Sequence, residues 1–282
     1  MKTLGKIAAV RKFCRSASRP LVFVPTMGAL HKGHISLIKR ARKIAGRQGT
    51  VAVSIFVNPT QFGPKEDLSK YPRPVSEDNA ICRDSDVDLL FRPTPEDMYF
   101  EDRSIWVNEE VLSKTLCGAS RPGHFRGVCS VVAKFFNILQ PDIAIFGEKD
   151  WQQLTIIRRM VRDLNFPVEI CGAPIVREKD GLAMSSRNRY LTPTERQAAP
   201  ALYQALLEAL SLYRSGEVKT SRLTSRIKKI IGGIPGARVD YIQVVESESL
   251  KSVSIIQKPA TIALAVFFGK ARLIDNIQLS AK

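Results

Sequence analysis

Leu21-Val22-Phe23-Val24-Pro25-Thr26-Met27-Gly28-Ala29-Leu30-His31-Lys32-Gly33-His34 decides the fold of the first half of this chain. Its four leading apolar residues read as a strand buried on both faces, and the stretch from Ile35 to Ala45 reads as a helix. A buried strand, a short turn and a helix form the repeating unit of a parallel sheet with crossover helices. The turn itself has chemical character. His31 and His34 lie three apart and share a face at the helix start, where unpaired N–H groups and about half a positive charge attract anions. Gly33 would let a phosphate approach the backbone. Two ordinary histidines at a surface turn are the plain alternative, but the chain has three histidines in all and two are here. Neither G-x-x-x-x-G-K-[ST] nor G-x-G-x-x-G occurs, so a nucleotide would be held in a different way.

The same alternation continues outward from this unit. Strands are expected at Leu21 to Val24, Val51 to Val57, Asp88 to Phe91, Asp142 to Phe146 and Val168 to Cys171. Helices are expected at Ile35 to Ala45, Glu77 to Asp84, Val128 to Leu139 and Trp151 to Leu164. In open α/β sheets ligands sit outside the carboxyl ends of the strands, which points to the loops after Val24, Val57 and Phe146. Beyond about residue 177 the pattern changes. Thr192-Pro193-Thr194-Glu195 combines an N-cap threonine, a first-turn proline and a glutamate three residues after the cap, so a helix should run from there to about Tyr213. Ser221 to Ile231 reads as a second helix, and Val239 to Val245, Ile262 to Phe268 and Arg272 to Ile277 read as strands without helices between them. The expected architecture is α/β: a Rossmann-like parallel-sheet domain over 1–176 and a smaller α+β domain over 177–282 acting as a lid.

Composition bounds the function. The 282 residues are enough for about two domains. Five scattered cysteines with no C-x-x-C pair argue against a disulfide framework and a zinc site, and so for a reducing, cytoplasmic home. No apolar run approaches the roughly 18 residues of a membrane span. The net charge is +16, of which +13 lies between Met1 and Lys65, a segment with no acid at all. Such a segment also fits an organelle transit peptide, yet Leu4, Ile7 and Ala8 share a helical face and a buried strand starts at Leu21, so it should belong to the fold. The basic segment lacks the aromatic interleaving of a nucleic-acid surface, so no specific nucleic-acid partner is expected.

Four further constellations stand at expected strand ends or loops. Asn58-Pro59-Thr60-Gln61-Phe62 offers two amides that can fix a hydroxyl or a carboxylate. Arg121-Pro122-Gly123-His124-Phe125-Arg126-Gly127 holds the third histidine between two arginines, with a basic surface loop as the plain alternative. Phe146-Gly147-Glu148-Lys149-Asp150 sets a lysine and acids at the sheet edge, where the lysine can meet a triphosphate. Met184-Ser185-Ser186-Arg187-Asn188 carries hydroxyls and a guanidinium on a polar crossing segment. Asp84, Asp86 and Asp88 alternate but lack the glycine and terminal glutamate of a calcium loop.

Together the strings PTMGALHKGH, FVNPTQF, KYPRP, RPGHFRGV, FGEKDWQQL, GLAMSSRNRYL and GKARLIDN closely resemble the pantothenate synthetase (pantoate:β-alanine ligase) family over nearly the whole chain. HKGH and MSSR look like the paired signatures of nucleotidylyl transferases and class I aminoacyl-tRNA synthetases. The resemblance implies ATP-dependent ligation of pantoate and β-alanine to pantothenate through a pantoyl adenylate, releasing AMP and pyrophosphate. It also implies Mg2+ and a homodimer. By the same resemblance His34, Lys149 and Arg187 are catalytic. ATP is met by Met27, His31, His34, Gly147, Lys149, Asp150, Val176, Met184, Ser185, Ser186 and Arg187, pantoate by Asn58, Gln61 and Gln153, and Asp78 lies near the metal. Lys32 departs from the pattern, standing where the family usually has an acid. A related nucleotidylyl transferase and a nucleic-acid-binding protein are the rival readings. The amides at 58, 61 and 153 favour a small hydroxy acid over the first.

Overall fold

A computed structural model describes residues 1–64, 66 and 68–280. The chain forms two compact units. The first comprises Met1–Val111, Arg121–Glu148 and Ile156–Pro174, and the second Leu112–Ser120, Lys149–Thr155 and Ile175–Lys282. The elements in order are β1 (Lys2–Leu4), α1 (Ile7–Arg15), β2 (Leu21–Thr26), α2 (Lys32–Ala45), β3 (Thr50–Ile55), α3 (Val75–Asp84), β4 (Leu89–Phe91), α4 (Pro95–Met98), α5 (Leu116–Ser120), α6 (His124–Leu139), β5 (Ile143–Gly147), α7 (Trp151–Asp163) and β6 (Glu169–Ala173). There follow α8 (Pro193–Ala198), α9 (Ala201–Arg214), α10 (Thr220–Gly232), β7 (Ala237–Glu246), β8 (Ala260–Phe268) and β9 (Ala271–Leu279).

In the first unit all six strands run parallel in the order β1-β4-β3-β2-β5-β6. The order reverses at β2, which pairs with β3 on one side and β5 on the other. The carboxyl ends of β2 and β5 flank that switch point, the place where such sheets bind ligands. Leu21 to Val24 and Val51 to Val53 are fully buried, as expected of central strands covered on both faces. Leu37, Ile38 and Ala41 lay one face of α2 against Val22, Val24 and Val53. Burying a side chain such as Ile38 contributes about 1.5–3 kcal/mol, so Ile38→Asp would detach the helix that carries the histidines.

β1 was not legible in the sequence, where Leu4 reads as helical. Three residues carry no period of their own, and the strand exists because Lys2, Thr3 and Leu4 register against Leu89, Leu90 and Phe91 of β4. The basic segment finds its acids later in the same unit: Lys6 pairs with Asp97 at 2.8 Å, Arg19 with Asp142 at 3.1 Å, and Arg42 with Asp88 at 2.5 Å.

In the second unit α9 and α10 bury Leu202, Leu206, Leu223 and Ile227 with Ile262, Leu264 and Val266 of an antiparallel sheet ordered β7-β8-β9. Thr192 caps as expected: its Oγ1 accepts from Glu195 N at 3.3 Å and its own N–H donates to Glu195 Oε2 at 2.8 Å. The single helix expected from there to Tyr213 is two, α8 and α9. Pro200 has no N–H to continue the first, and serves instead as the N-cap of the second.

Candidate active site

Five N–H groups of the turn between β2 and α2 are held by protein acceptors. Gly28 N–H donates to Thr26 Oγ1 at 3.3 Å, Ala29 N–H to Asp78 Oδ2 at 3.0 Å and Leu30 N–H to Asp78 Oδ1 at 2.8 Å. His31 N–H donates to His34 Nδ1 at 3.3 Å, and Gly33 N–H donates to His31 Nδ1 at 3.1 Å. The two imidazoles therefore cap the helix, taking the role that serine and glutamate play in an ordinary capping box. The N–H of Gly33, a residue expected to let a phosphate approach the backbone, has His31 Nδ1 as its acceptor. Because each Nδ1 accepts, each neutral imidazole carries its proton on Nε2. The two rings stand 4.1 Å apart at the positive end of α2, a paired donor set suited to a polyanion.

Asn58 and Gln61 follow β3. Asn58 is 1% exposed, and its hydrogen-bonding capacity is spent within the protein. Its Nδ2 donates to Gln61 Oε1 and to Gly127 O, both at 3.1 Å, while its Oδ1 accepts from Tyr99 OH at 2.8 Å and Thr60 Oγ1 at 2.9 Å. This fixes the Gln61 amide, because the oxygen faces Asn58 and Nε2 must face away, toward Met27 Sδ at 2.9 Å. The structure thus brings together Met27 and Gln61, assigned to ATP and pantoate respectively. Asn58 acts behind them.

The arginine–histidine segment is a buttress for this turn, and its reading as a plain basic surface loop does not hold. His124 Nδ1 lies 2.8 Å from Gln61 O, Arg121 lies 3.0 Å from His124 Nε2, and Arg121 pairs with Glu66 at 2.7 Å through two nitrogens. Glu66 is pulled in opposite directions: burial raises its pKa, while the bond and charge of Arg121, with smaller help from the Gly63 backbone and the His124 charge, lower it, and the net result is a lowered value. Gly127 on α6 is in contact with the turn; a Cβ there would sit 2.3 Å from Thr60 O. Tyr99, Arg121, His124 and Gly127 brace this turn, and motif reading gave them no role. The sequence signals there were a third histidine flanked by arginines and the family string RPGHFRGV.

Gly147 ends β5, half-buried, at the switch point beside β2. The remaining expected residues belong to the second unit. Lys149 and Gln153 are half-buried and Asp150 is exposed. Their backbone is anchored there: Asn276 Nδ2 donates to Lys149 O at 2.9 Å, Trp151 Nε1 donates to Ser247 O at 2.9 Å, and Gln152 donates to the carbonyls of Leu112 and Thr115. Val176 and Met184 are joined, Met184 N–H donating to Val176 O at 3.0 Å to close a hairpin-like loop. Arg177 holds this loop with a two-pronged pair to Asp275 at 2.6 and 2.9 Å. Ser185 Oγ accepts from Arg187 N at 3.2 Å and starts the 3-10 turn Ser186–Tyr190.

Among the described residues no group of three His, Cys, Asp or Glu is placed to hold a metal ion. Asp78, expected near magnesium, is 2% exposed and gives each of its oxygens to a backbone N–H. The described residues therefore do not fit a protein-built magnesium cage. No helix among them is long and apolar enough to cross a membrane.

A family profile described as Pantoate-beta-alanine ligase matches residues 2–278. The pantothenate synthetase of Akkermansia muciniphila is 54% identical over 259 residues, covering 92% of each chain, and that of Pseudothermotoga lettingae is 50% identical over 98% of each. Among solved structures, a pantothenate synthetase from Thermus thermophilus aligns with a TM-score of 0.92 at 45% identity, covering 98% of this chain and 99% of that one. The pantoate-β-alanine ligase of Francisella tularensis, complexed with β-γ ATP and β-alanine, aligns at 0.81 with 36% identity, covering 98% and 97%. Sheet topology, the double-histidine turn and these similarities agree: the chain belongs to the pantoate-β-alanine ligase family.

Proposed function

We propose that this enzyme joins pantoate to β-alanine in two steps. The pantoate carboxylate attacks the α-phosphorus of ATP, expelling pyrophosphate and leaving pantoyl adenylate. The amine of β-alanine then attacks the acyl carbon, and AMP departs. The observation that carries this reading is the pair of histidines capping α2 at the switch point, with their Nδ1 atoms occupied by backbone N–H groups. Fixed donors that meet charge as it develops are the largest help available to phosphoryl chemistry. The nucleophile is already a carboxylate, so the first step needs no general base. That accounts for a site built of donors and cations.

In this reading His31 and His34 present Nε2–H to the phosphates, joined by Lys149, Ser185, Ser186 and Arg187, with His34, Lys149 and Arg187 carrying the catalytic load. Gly147 and Asp150 meet the ribose, and Met27, Val176 and Met184 border the nucleotide. Gln61 and Gln153 grip pantoate, Gln61 through the Nε2 that Asn58 turns outward. Magnesium accompanying the triphosphate would be held by phosphate oxygens and water, and it would offset their charge. Self-association as a homodimer is supported by Phe100, Ile105 and Val111, exposed along one stretch of the first unit, Ile105 to 88%. Five free cysteines favour the cytoplasm.

The test is a screen of hydroxy acids and amino acids with ATP, read as AMP release. Pantoate with β-alanine should stand alone as the productive pair. Comparable AMP release with unrelated acids would refute the assignment.

A further inference from the structure

We infer that Asp78 is a positioning residue that sets the double-histidine turn for adenylation, acting through the backbone of Ala29 and Leu30. Gly28 and Ala29 are consecutive left-handed residues, at φ 84° and 50°. For alanine that conformation is unfavourable and must be held from outside. Successive N–H groups in such a turn converge into a concave nest that binds an anion. Here the anion is the Asp78 carboxylate, reaching from the first turns of α3 to take Ala29 N–H on Oδ2 and Leu30 N–H on Oδ1, at 3.0 and 2.8 Å.

The fit is mutual. A Cβ on Gly28 would stand 2.8 Å from Asp78 Oδ2 and 3.0 Å from Ile55 Cγ2, so only glycine lets the carboxylate close on the turn. The next residue after this clamp is His31. The clamp therefore sets where the chain enters α2, and with it the direction of both Nε2 atoms. Asp78 itself is buried behind the turn and acts on substrate only through those rings.

The inference rests on the adenylating reading of the site, and its structural half can be read separately. Asp78→Asn keeps the shape but leaves only one oxygen for the two N–H groups. The amide signals of Ala29 and Leu30 in the ligand-free protein should move upfield relative to wild type, a measurement that needs no activity. In pantoate-dependent pyrophosphate exchange, kcat should fall about tenfold to a hundredfold, the usual result of displacing a catalytic group by about an ångström. The Mg2+ concentration giving half the maximal rate, at fixed saturating ATP, should stay within about twofold. If raising Mg2+ restores the variant to wild-type rate, Asp78 is a metal ligand and the inference falls. Wild-type kcat with displaced amide signals would also overturn it, reducing Asp78 to a purely structural contact. Should the wild-type enzyme show no exchange at all, the adenylating reading has failed, while the amide signals still report on the clamp.

Discussion

Gly127→Ala is the change that most sharply separates packing from chemistry in this enzyme. The added Cβ would lie 2.3 Å from Thr60 O, 2.5 Å from Thr60 C and 2.7 Å from Gln61 Cα. All three are backbone atoms, so no rotamer change relieves the clash. Opening 2.3 Å to an ordinary 3.4 Å contact displaces the Pro59–Gln61 turn from α6 by 1.1 Å. The same shift stretches the bond from Asn58 Nδ2 to Gly127 O beyond its present 3.1 Å, and with it the brace that orients the Gln61 amide. Overpacking of this kind costs about 1–3 kcal/mol of stability, a fall of roughly 2–5 °C in melting temperature for a chain of this size. Misplacing a substrate-binding amide by about 1 Å costs about a hundredfold in rate. The loss should appear in kcat/KM for pantoate and leave the KM for ATP nearly unchanged. Calorimetry beside steady-state kinetics at varied pantoate is the assay. A variant with normal pantoate kinetics would refute the claim that α6 holds Gln61 in place.

Other consequences follow from the same geometry. Lys149→Ala should slow single-turnover adenylation about a hundred- to thousandfold, the usual loss for one transition-state donor, with little change in melting temperature; near-normal adenylation would remove it from the site. Gln61→Ala should weaken pantoate by about 1–3 kcal/mol, the cost of a buried ligand group left unpaired, and ATP far less; equal losses for both ligands would contradict its role. Burial pushes the thiols of Cys82 and Cys129 from an ordinary 9.0 up to about 12. Because the folded values are raised, this contribution to stability is complete below pH 9 and is lost as pH rises from 9 toward 12, by at most about 1.4 kcal/mol per pH unit for each thiol. Urea midpoints of wild type and Cys129→Ala should therefore converge above pH 9, and parallel curves would count against it.

Strand and helix positions in the first unit could be read because central strands such as Leu21 to Val24 and Val51 to Val53 need apolar residues on both faces, which leaves an unmistakable run. The histidine turn was equally plain as a place. What could not be read was which atoms do the work there. That Nδ1 of each ring would be consumed by a backbone N–H depends on the helix starting at Lys32, three residues before the periodic stretch at Ile35. Asn58 reads as a ligand-facing amide, and Asp78 entered only through the family resemblance, as a residue near the metal; their partners lie far along the chain at Gly127 and at Ala29 and Leu30. Only the fold brings them together. Gly127 shows no signal because a glycine at a close approach looks like any other glycine until the opposing backbone is in place. The basic segment reads as part of the fold, but nothing in its sequence shows that Asp88, Asp97 and Asp142 answer three of its charges, because those acids lie far along the chain.

The order of bond making separates this account from its alternatives. If the carboxylate is activated before the amine takes part, enzyme supplied with pantoate, ATP and magnesium alone should return labelled pyrophosphate into ATP. The exchange should require pantoate and need no β-alanine. Arg187→Ala should depress it strongly, whereas preformed pantoyl adenylate given to the same variant should still yield pantothenate with β-alanine. No label in ATP until β-alanine is added would contradict the two-step account, because the amine would then be attacking in a single complex without a free-standing adenylate.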